Sequence, residues 1–239
     1  MIVCYNEGEQ CLMDDGERRC KMERDRVLKQ LADKESLAAV QAKAETNSEL
    51  LALLVEIVTA ESSSIRYAAS KVVRKLSETK PEVVYPHFEA IAAWLQAENS
   101  FIKWDGILTL ANLASVDDEQ KMAVIYDDYF ALLGDAQMIT AGNVAGNAWK
   151  IVLAHPEWEA DVTRRLLAVP KTVYLHKGAP SPECNRIVCG KVLESFTHYF
   201  AQSAHQAEIL AFAETQRSSA RPAVAKKADK FVEKYGKWA

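Results

Sequence analysis

Glycine and proline are scarce in this 239-residue chain, at 9 and 7 residues. Few breakers fit long helices joined by short connections and speak against a loop-rich or all-β fold. No apolar run reaches the roughly 18 residues that a membrane-spanning helix needs. The opening Met-Ile-Val-Cys-Tyr-Asn-Glu has neither a basic stretch nor a long apolar one, so no export signal is expected there. Cysteines number 5, an odd count with no close pair, which excludes a disulfide framework. Reduced thiols and a cytoplasmic location are the expectation. Cys4, Cys11 and Cys20 lack the two-to-four-residue spacing usual for zinc ligands, and no metal or cofactor is expected. There is no Gly-rich phosphate loop and no nucleophile elbow.

Hydrophobic residues make up 49% of the chain and charged residues 26%, an ordinary globular balance that excludes wholesale disorder. The net charge of −4 argues against a dedicated nucleic-acid binder. It is unevenly spread. Residues 1–62 hold 13 acids against 8 bases, whereas residues 217–239 hold seven bases against two acids. The basic end reads either as a local anionic contact or as a solvated last helix with cations toward its C-terminus.

Residues 1–20 show no period and read as a poorly ordered or loosely docked tail, with a turn at Asp14-Asp15-Gly16. From residue 21 to 239 one helical domain is expected. Residues 100–115 are its centre. Ile102, Gly106, Thr109, Leu110 and Leu113 mark one helical face, yet Trp104, Ile107, Leu108 and Ala111 make the other side apolar too. Such a helix has neighbours on several sides. Asn47-Ser48 and Asn99-Ser100 are helix starts, as are Ser115 to Asp118 and Ser218-Ser219. Pro81, Pro156 and Pro182 suit first turns. Residues 170–182 form the longest irregular connection, either a plain connector or a functional loop.

A pattern recurs: Ile65-Arg66-Tyr67-Ala68-Ala69, Ile102-Lys103-Trp104-Asp105-Gly106, Gly142-Asn143-Val144-Ala145-Gly146, Asn185-Arg186-Ile187-Val188-Cys189 and Ala220-Arg221-Pro222-Ala223-Val224. Each copy closes ten residues after its second position on Leu76, Leu113, Leu153, Phe196 and Phe231. Helix pairs at this spacing are an α-solenoid signature. The pattern resembles the HEAT-repeat family over residues 48–236. The resemblance implies an all-α, right-handed solenoid of about five helix pairs, with the second helix of each pair on the concave side. The family usually carries an Asp four residues before the basic position; here Ser62, Asn99, Ile139, Pro182 and Arg217 stand there, so no regular Asp–Arg ladder is expected.

At about 100° per residue, Trp104, Leu108 and Ala111 lie roughly opposite Ile102. Their counterparts are Tyr67, Lys71 and Arg74 before them, and Val144, Ala148 and Ile151 after. These either pack between neighbours or form a groove for a partner. The expected site on the groove reading is Tyr67, Arg74, Trp104, Leu108 and Ile151, receiving a protein or peptide. That makes the chain a non-enzymatic scaffold or adaptor. Two alternatives stand beside it: a regulatory subunit of an enzyme, and a DNA glycosylase of the HEAT-like type that removes alkylated bases, which Trp104-Asp105 invites by resemblance. Adjacent helical residues diverge by about 100°, and a negative chain opposes phosphate binding, so weak DNA binding and no base release are expected. Arg66, Lys103, Arg186 and Arg221 share one register, either as a row for an anionic partner or as partners of nearby acids.

Overall fold

A computed structural model describes residues 15–61 and 63–237, with side chains from residue 21 onward. Helix α1 (Asp15–Ala32) begins inside the stretch read as a tail, so Gly16 is helical rather than part of a turn. The remaining tail, with Cys4 and Cys11, lies outside the described residues. Helix α2 (Leu37–Ala44) follows, and α1 and α2 close one end of the stack against α4. The chain then runs through α3 (Ser48–Ala60) and α4 (Ile65–Thr79), then α5 (Pro81–Val84) and α6 (Phe88–Ala92) with α7 (Ser100–Leu113). After these come α8 (Lys121–Ala131) and α9 (Met138–Ala154), α10 (Glu159–Ala168) and α11 (Pro182–Tyr199), and α12 (Gln206–Arg217) and α13 (Pro222–Tyr235).

These starts have local causes. The Asn47 side chain accepts from Leu50 N–H at 2.9 Å, and Asn99 Oδ1 accepts from Phe101 and Ile102 N–H at 3.1 and 3.3 Å. Two starts differ from expectation. Residues 114–116 continue α7 as a 3-10 turn, Gln120 turns left-handed (φ 56°), and α8 begins only at Lys121. Asp117 reaches forward and accepts from the N–H groups of Lys121 and Met122, both at 2.8 Å, so its capping role acts across the turn. The last helix begins at Pro222 rather than after Ser219, because the pre-set φ of proline suits a first turn.

The second helices α4, α7, α9, α11 and α13 pack against one another in succession, whereas the first helices of the pairs meet mainly through side chains, as Tyr126 with Asp161 and Asp127 with Arg165. The repeat resemblance puts the second helices on the concave side, and they are called the inner row. Arg66, Lys103, Asn143 and Arg186 lie on successive stacked helices, with Asn143 one residue out of the register expected for it. One core runs through the stack, including Leu54, Val73, Leu110, Val152 and Phe196. Helix α7 contacts α4, α6 and α9, which explains why its sequence is apolar nearly all round.

The connection after α10 is pinned. Tyr174 is fully buried and donates to the Leu133 carbonyl at 2.8 Å. Leu175–His176 (β1) pairs antiparallel with Ala179–Pro180 (β2) across a turn with φ 52° at Lys177 and 80° at Gly178. Asn185 Nδ2 donates to the carbonyls of Val169 and Thr172.

Candidate functional site

The inner row carries solvent-facing aromatic surface between α4 and α7. Phe101, 61% exposed, meets Tyr67 and Trp104 edge to face, with ring centroids 5.6 and 5.1 Å away. Trp104 is half-buried, and its Nε1–H donates to Thr140 Oγ1 on α9 at 3.0 Å. Tyr67 is half-buried, and its hydroxyl accepts from Asn99 Nδ2 and Arg66 Nη2. The nearby Arg66 guanidinium pulls the Tyr67 hydroxyl below the usual phenol range. Leu108 is half-buried on the same helix.

Ile151 corrects the expected site. It is fully buried, as are Val144 and Ala148, and lines no groove. The α7 counterpart of Ile151, Ala111, is fully buried as well, so that register faces the core in both copies, whereas Val144 and Ala148 are buried through a one-residue shift in the repeat. On α9 the fully buried position matching Ala69 and the buried Gly106 is Ala145, while half-buried Gly146 lies against the Lys191 stem of α11. One residue is about 100° of rotation, so the α9 counterparts of Trp104 and Leu108 are the half-buried Asn143 and Asn147.

Polar side chains bridge successive inner helices. Asp105 accepts from Ser70 Oγ at 2.6 Å and from Arg74 Nε at 2.8 Å, tying α7 back to α4. Arg74, the remaining expected site residue, also donates to Glu78 at 2.6 Å. Burial is the largest influence on Asp105. It outweighs Ser70, Arg74 and Lys71 and holds the carboxyl above its ordinary range. Farther along, Asn112 Nδ2 donates to Ser77 Oγ at 2.9 Å, and its Oδ1 accepts from Lys150 Nζ at 2.6 Å. These bridges use positions other than the family's Asp.

The second bridge borders a groove of about 400 Å³ lined by Ser77, Glu78, Asn112, Trp149, Lys150 and Leu153. Trp149 stacks on His198 at 4.0 Å and 12°, and Leu153 is 42% exposed. Burial pushes the Lys150 ammonium below its ordinary pKa. Burial, with Lys150 nearby, does the same to His198. The groove thus offers a carboxylate, an amide, an ammonium and two apolar flanks. Sequence reading missed Asn112, Trp149, Lys150 and Phe101. The available signal was polarity interrupting helices apolar on several faces.

Trp104 and Asp105 diverge, the first reaching forward to α9 and the second back to α4. Among the described residues no group of three His, Cys, Asp or Glu could hold a metal. Cys184 and Cys189 are free and buried, and burial pushes the Cys189 thiol up to about 11. The shared basic register splits in its contacts. Lys103 reaches Asp135 at 3.8 Å, while Arg186 and Arg221 both pair with Glu183.

No family model and no curated protein matches the sequence. Solved structures do match. A computationally designed armadillo repeat protein for modular peptide recognition shares 15% identity at a TM-score of 0.54, covering 87% of this chain and 98% of that one. A second designed armadillo repeat protein shares 14% identity at 0.50, with the same coverage. This chain folds as an all-α helical-repeat solenoid, similar in architecture to armadillo repeat structures. The likeness spans nearly the whole described chain, so the repeat stack is the fold itself. No described helix of this solenoid is long and apolar enough to cross a membrane.

Proposed function

We propose that this solenoid is a cytoplasmic, non-enzymatic adaptor that holds a protein or peptide segment on its inner row. The observation that carries the reading is the open aromatic cluster of Phe101, Tyr67 and Trp104. A ring 61% exposed and braced edge to face is apolar surface already ordered for a partner. The groove between Asn112 and Lys150 extends the same face. The designed protein for modular peptide recognition shares the architecture, which supports the reading at the level of fold. A regulatory subunit would use the same surface.

The alkylated-base glycosylase reading ranks behind it. That chemistry calls for a free carboxylate beside the aromatic residue, and Asp105 is engaged with Ser70 and Arg74.

The test places a photo-crosslinking residue at position 101 on the inner row, and separately at position 124, which is 86% exposed on α8 of the outer row. Partner adducts should form from 101 and not from 124, and Trp104→Ala should weaken capture by about 2 kcal/mol. Adducts from 124 alone, or base release from alkylated DNA that Asp105→Asn abolishes, would overturn the reading.

A further inference from the structure

The two rows of helices carry opposite charge. The inner helices α4, α7, α9, α11 and α13 hold twelve basic and six acidic residues, a balance of +6. The outer helices α3, α5, α6, α8, α10 and α12 hold four basic and ten acidic residues, a balance of −6. The chain's overall negative charge hides this separation.

The inner bases gather at the two ends, four on α4 and four on α13, and those of α13 stand over apolar surface. Lys227, Lys230 and Lys234 rim a cleft of about 220 Å³ between α11 and α13. Their spacing of three and four residues puts them on one helical face. The floor is Leu193, Phe231 and Tyr235, with Thr197 and Glu194 beside them. Lys227 pairs with Glu194, whereas Lys226 and Lys230 have no ion-pair partner among the described residues. Lys234 lies over the Tyr235 ring at 4.7 Å. A cation-rimmed apolar notch fits an apolar side chain flanked by carboxylates.

Resting on the adaptor reading, we propose that the bound segment is an acidic peptide, running along the inner row with an apolar side chain seated in the α11–α13 cleft. Nucleic acid is the poorer fit. The notch is apolar at its floor and takes a hydrocarbon anchor, which a phosphate backbone does not present.

The experiment measures fluorescence polarisation of labelled peptides of repeated Glu-Glu-Phe, Lys-Lys-Phe and Ser-Ser-Phe, and of a short duplex DNA, against the full chain. The Glu-Glu-Phe peptide should bind most tightly and weaken as salt rises. The double variant Lys230→Glu with Lys234→Glu should loosen it by about tenfold or more at an unchanged melting temperature. Asp128→Lys on the outer row should leave it unchanged. Equal or tighter binding of Lys-Lys-Phe, Ser-Ser-Phe or duplex DNA overturns the inference, as does no binding of Glu-Glu-Phe at millimolar concentration. A partner cross-linked from position 101 through a basic segment would overturn the acidic assignment alone and leave the adaptor reading standing. Adducts from position 124 alone would overturn the adaptor reading independently of the peptide result.

Discussion

Gly106 sets how closely α7 approaches the turn after α6, and replacing it with alanine should destabilise the protein. Two terms compete. Alanine in a helix interior gains up to about 1 kcal/mol over glycine. Against that, a Cβ at position 106 would stand 2.9 Å from Trp94 Cβ, 3.5 Å from the Trp94 carbonyl carbon and 3.6 Å from the Ile91 carbonyl oxygen. Carbon pairs settle near about 3.5–4.0 Å. Trp94 is 1% exposed, and its Cβ moves only with its backbone, so no flexible chain end can yield. Overpacking of this kind costs about 1–3 kcal/mol. The net expectation is a loss of up to about 2 kcal/mol, and each kcal/mol lowers the melting temperature by about 2–4 °C in a chain of this length. Gly142→Ala is the internal comparison. Its nearest neighbour would be Lys191 Cγ at 3.8 Å, ordinary contact with a mobile stem. There the propensity gain stands alone, and the melting temperature should rise by about 2–4 °C. Thermal unfolding followed by helical circular dichroism reads both variants. If Gly106→Ala stabilises as much as Gly142→Ala, the close-approach account is wrong.

Asp105→Asn should flatten the pH dependence of stability in the acidic range. The folded carboxyl is held above its ordinary pKa, so the folded chain binds the proton more tightly than the unfolded chain does. Stability from this group is therefore fullest below about pH 4 and declines as pH rises toward the folded pKa. Melting curves at successive acidic pH values check it, and an unchanged slope would refute it. Asn112→Ala should cost about 1–3 kcal/mol, because half-buried Lys150 Nζ loses its acceptor and Ser77 Oγ loses a donor while keeping its bond to the Arg74 carbonyl; a melting temperature equal to that of the parent contradicts the bridge. Cys189 should react with a thiol-alkylating reagent at neutral pH only after unfolding, since its pKa near 11 leaves little thiolate and the side chain is 1% exposed. Labelling of the folded chain at the rate of a free thiol would count against that burial.

Local chemistry was legible in the sequence. Asn47 and Asn99 cap where a short acceptor before an apolar run should, and Pro182 opens α11. The alternation of first and second helices followed from period alone. What failed were features set by neighbours. Asp117 caps a helix that starts four residues later because Gln120 can turn left-handed, which no spacing rule announces. The pinning of Tyr174 to Leu133 ties positions 41 residues apart. Tyr67 and Trp104 were legible because large aromatics on the less regular side of a helix must either pack or face a partner, and they do some of each. Ile151 was misread because its α7 counterpart Ala111 was taken to face the groove, whereas both are fully buried, and Val144 and Ala148 were misread because the α9 copy was aligned on Gly146 rather than Ala145. The core positions of α9 are displaced by a residue, and a one-residue error on a helix moves a side chain from groove to core.

The same dependence on neighbours explains why net charge misleads for a stacked fold. Chain order alternates outer and inner helices, so any window longer than one repeat averages the two rows. Packed helices lie about 8–10 Å apart, close to the screening length of about 8 Å at physiological salt. A ligand against the inner row therefore feels its twelve basic and six acidic residues at nearly full strength, while the outer carboxylates stand a screening length farther off. Low salt lengthens that reach to about 30 Å at 0.01 M. Under those conditions the outer row begins to offset the inner one. Affinity for an acidic segment should then rise less steeply on dilution of salt than the inner charge alone would dictate. The curvature of that salt dependence is the signature of two opposed rows, and a single basic patch on a neutral body would not produce it.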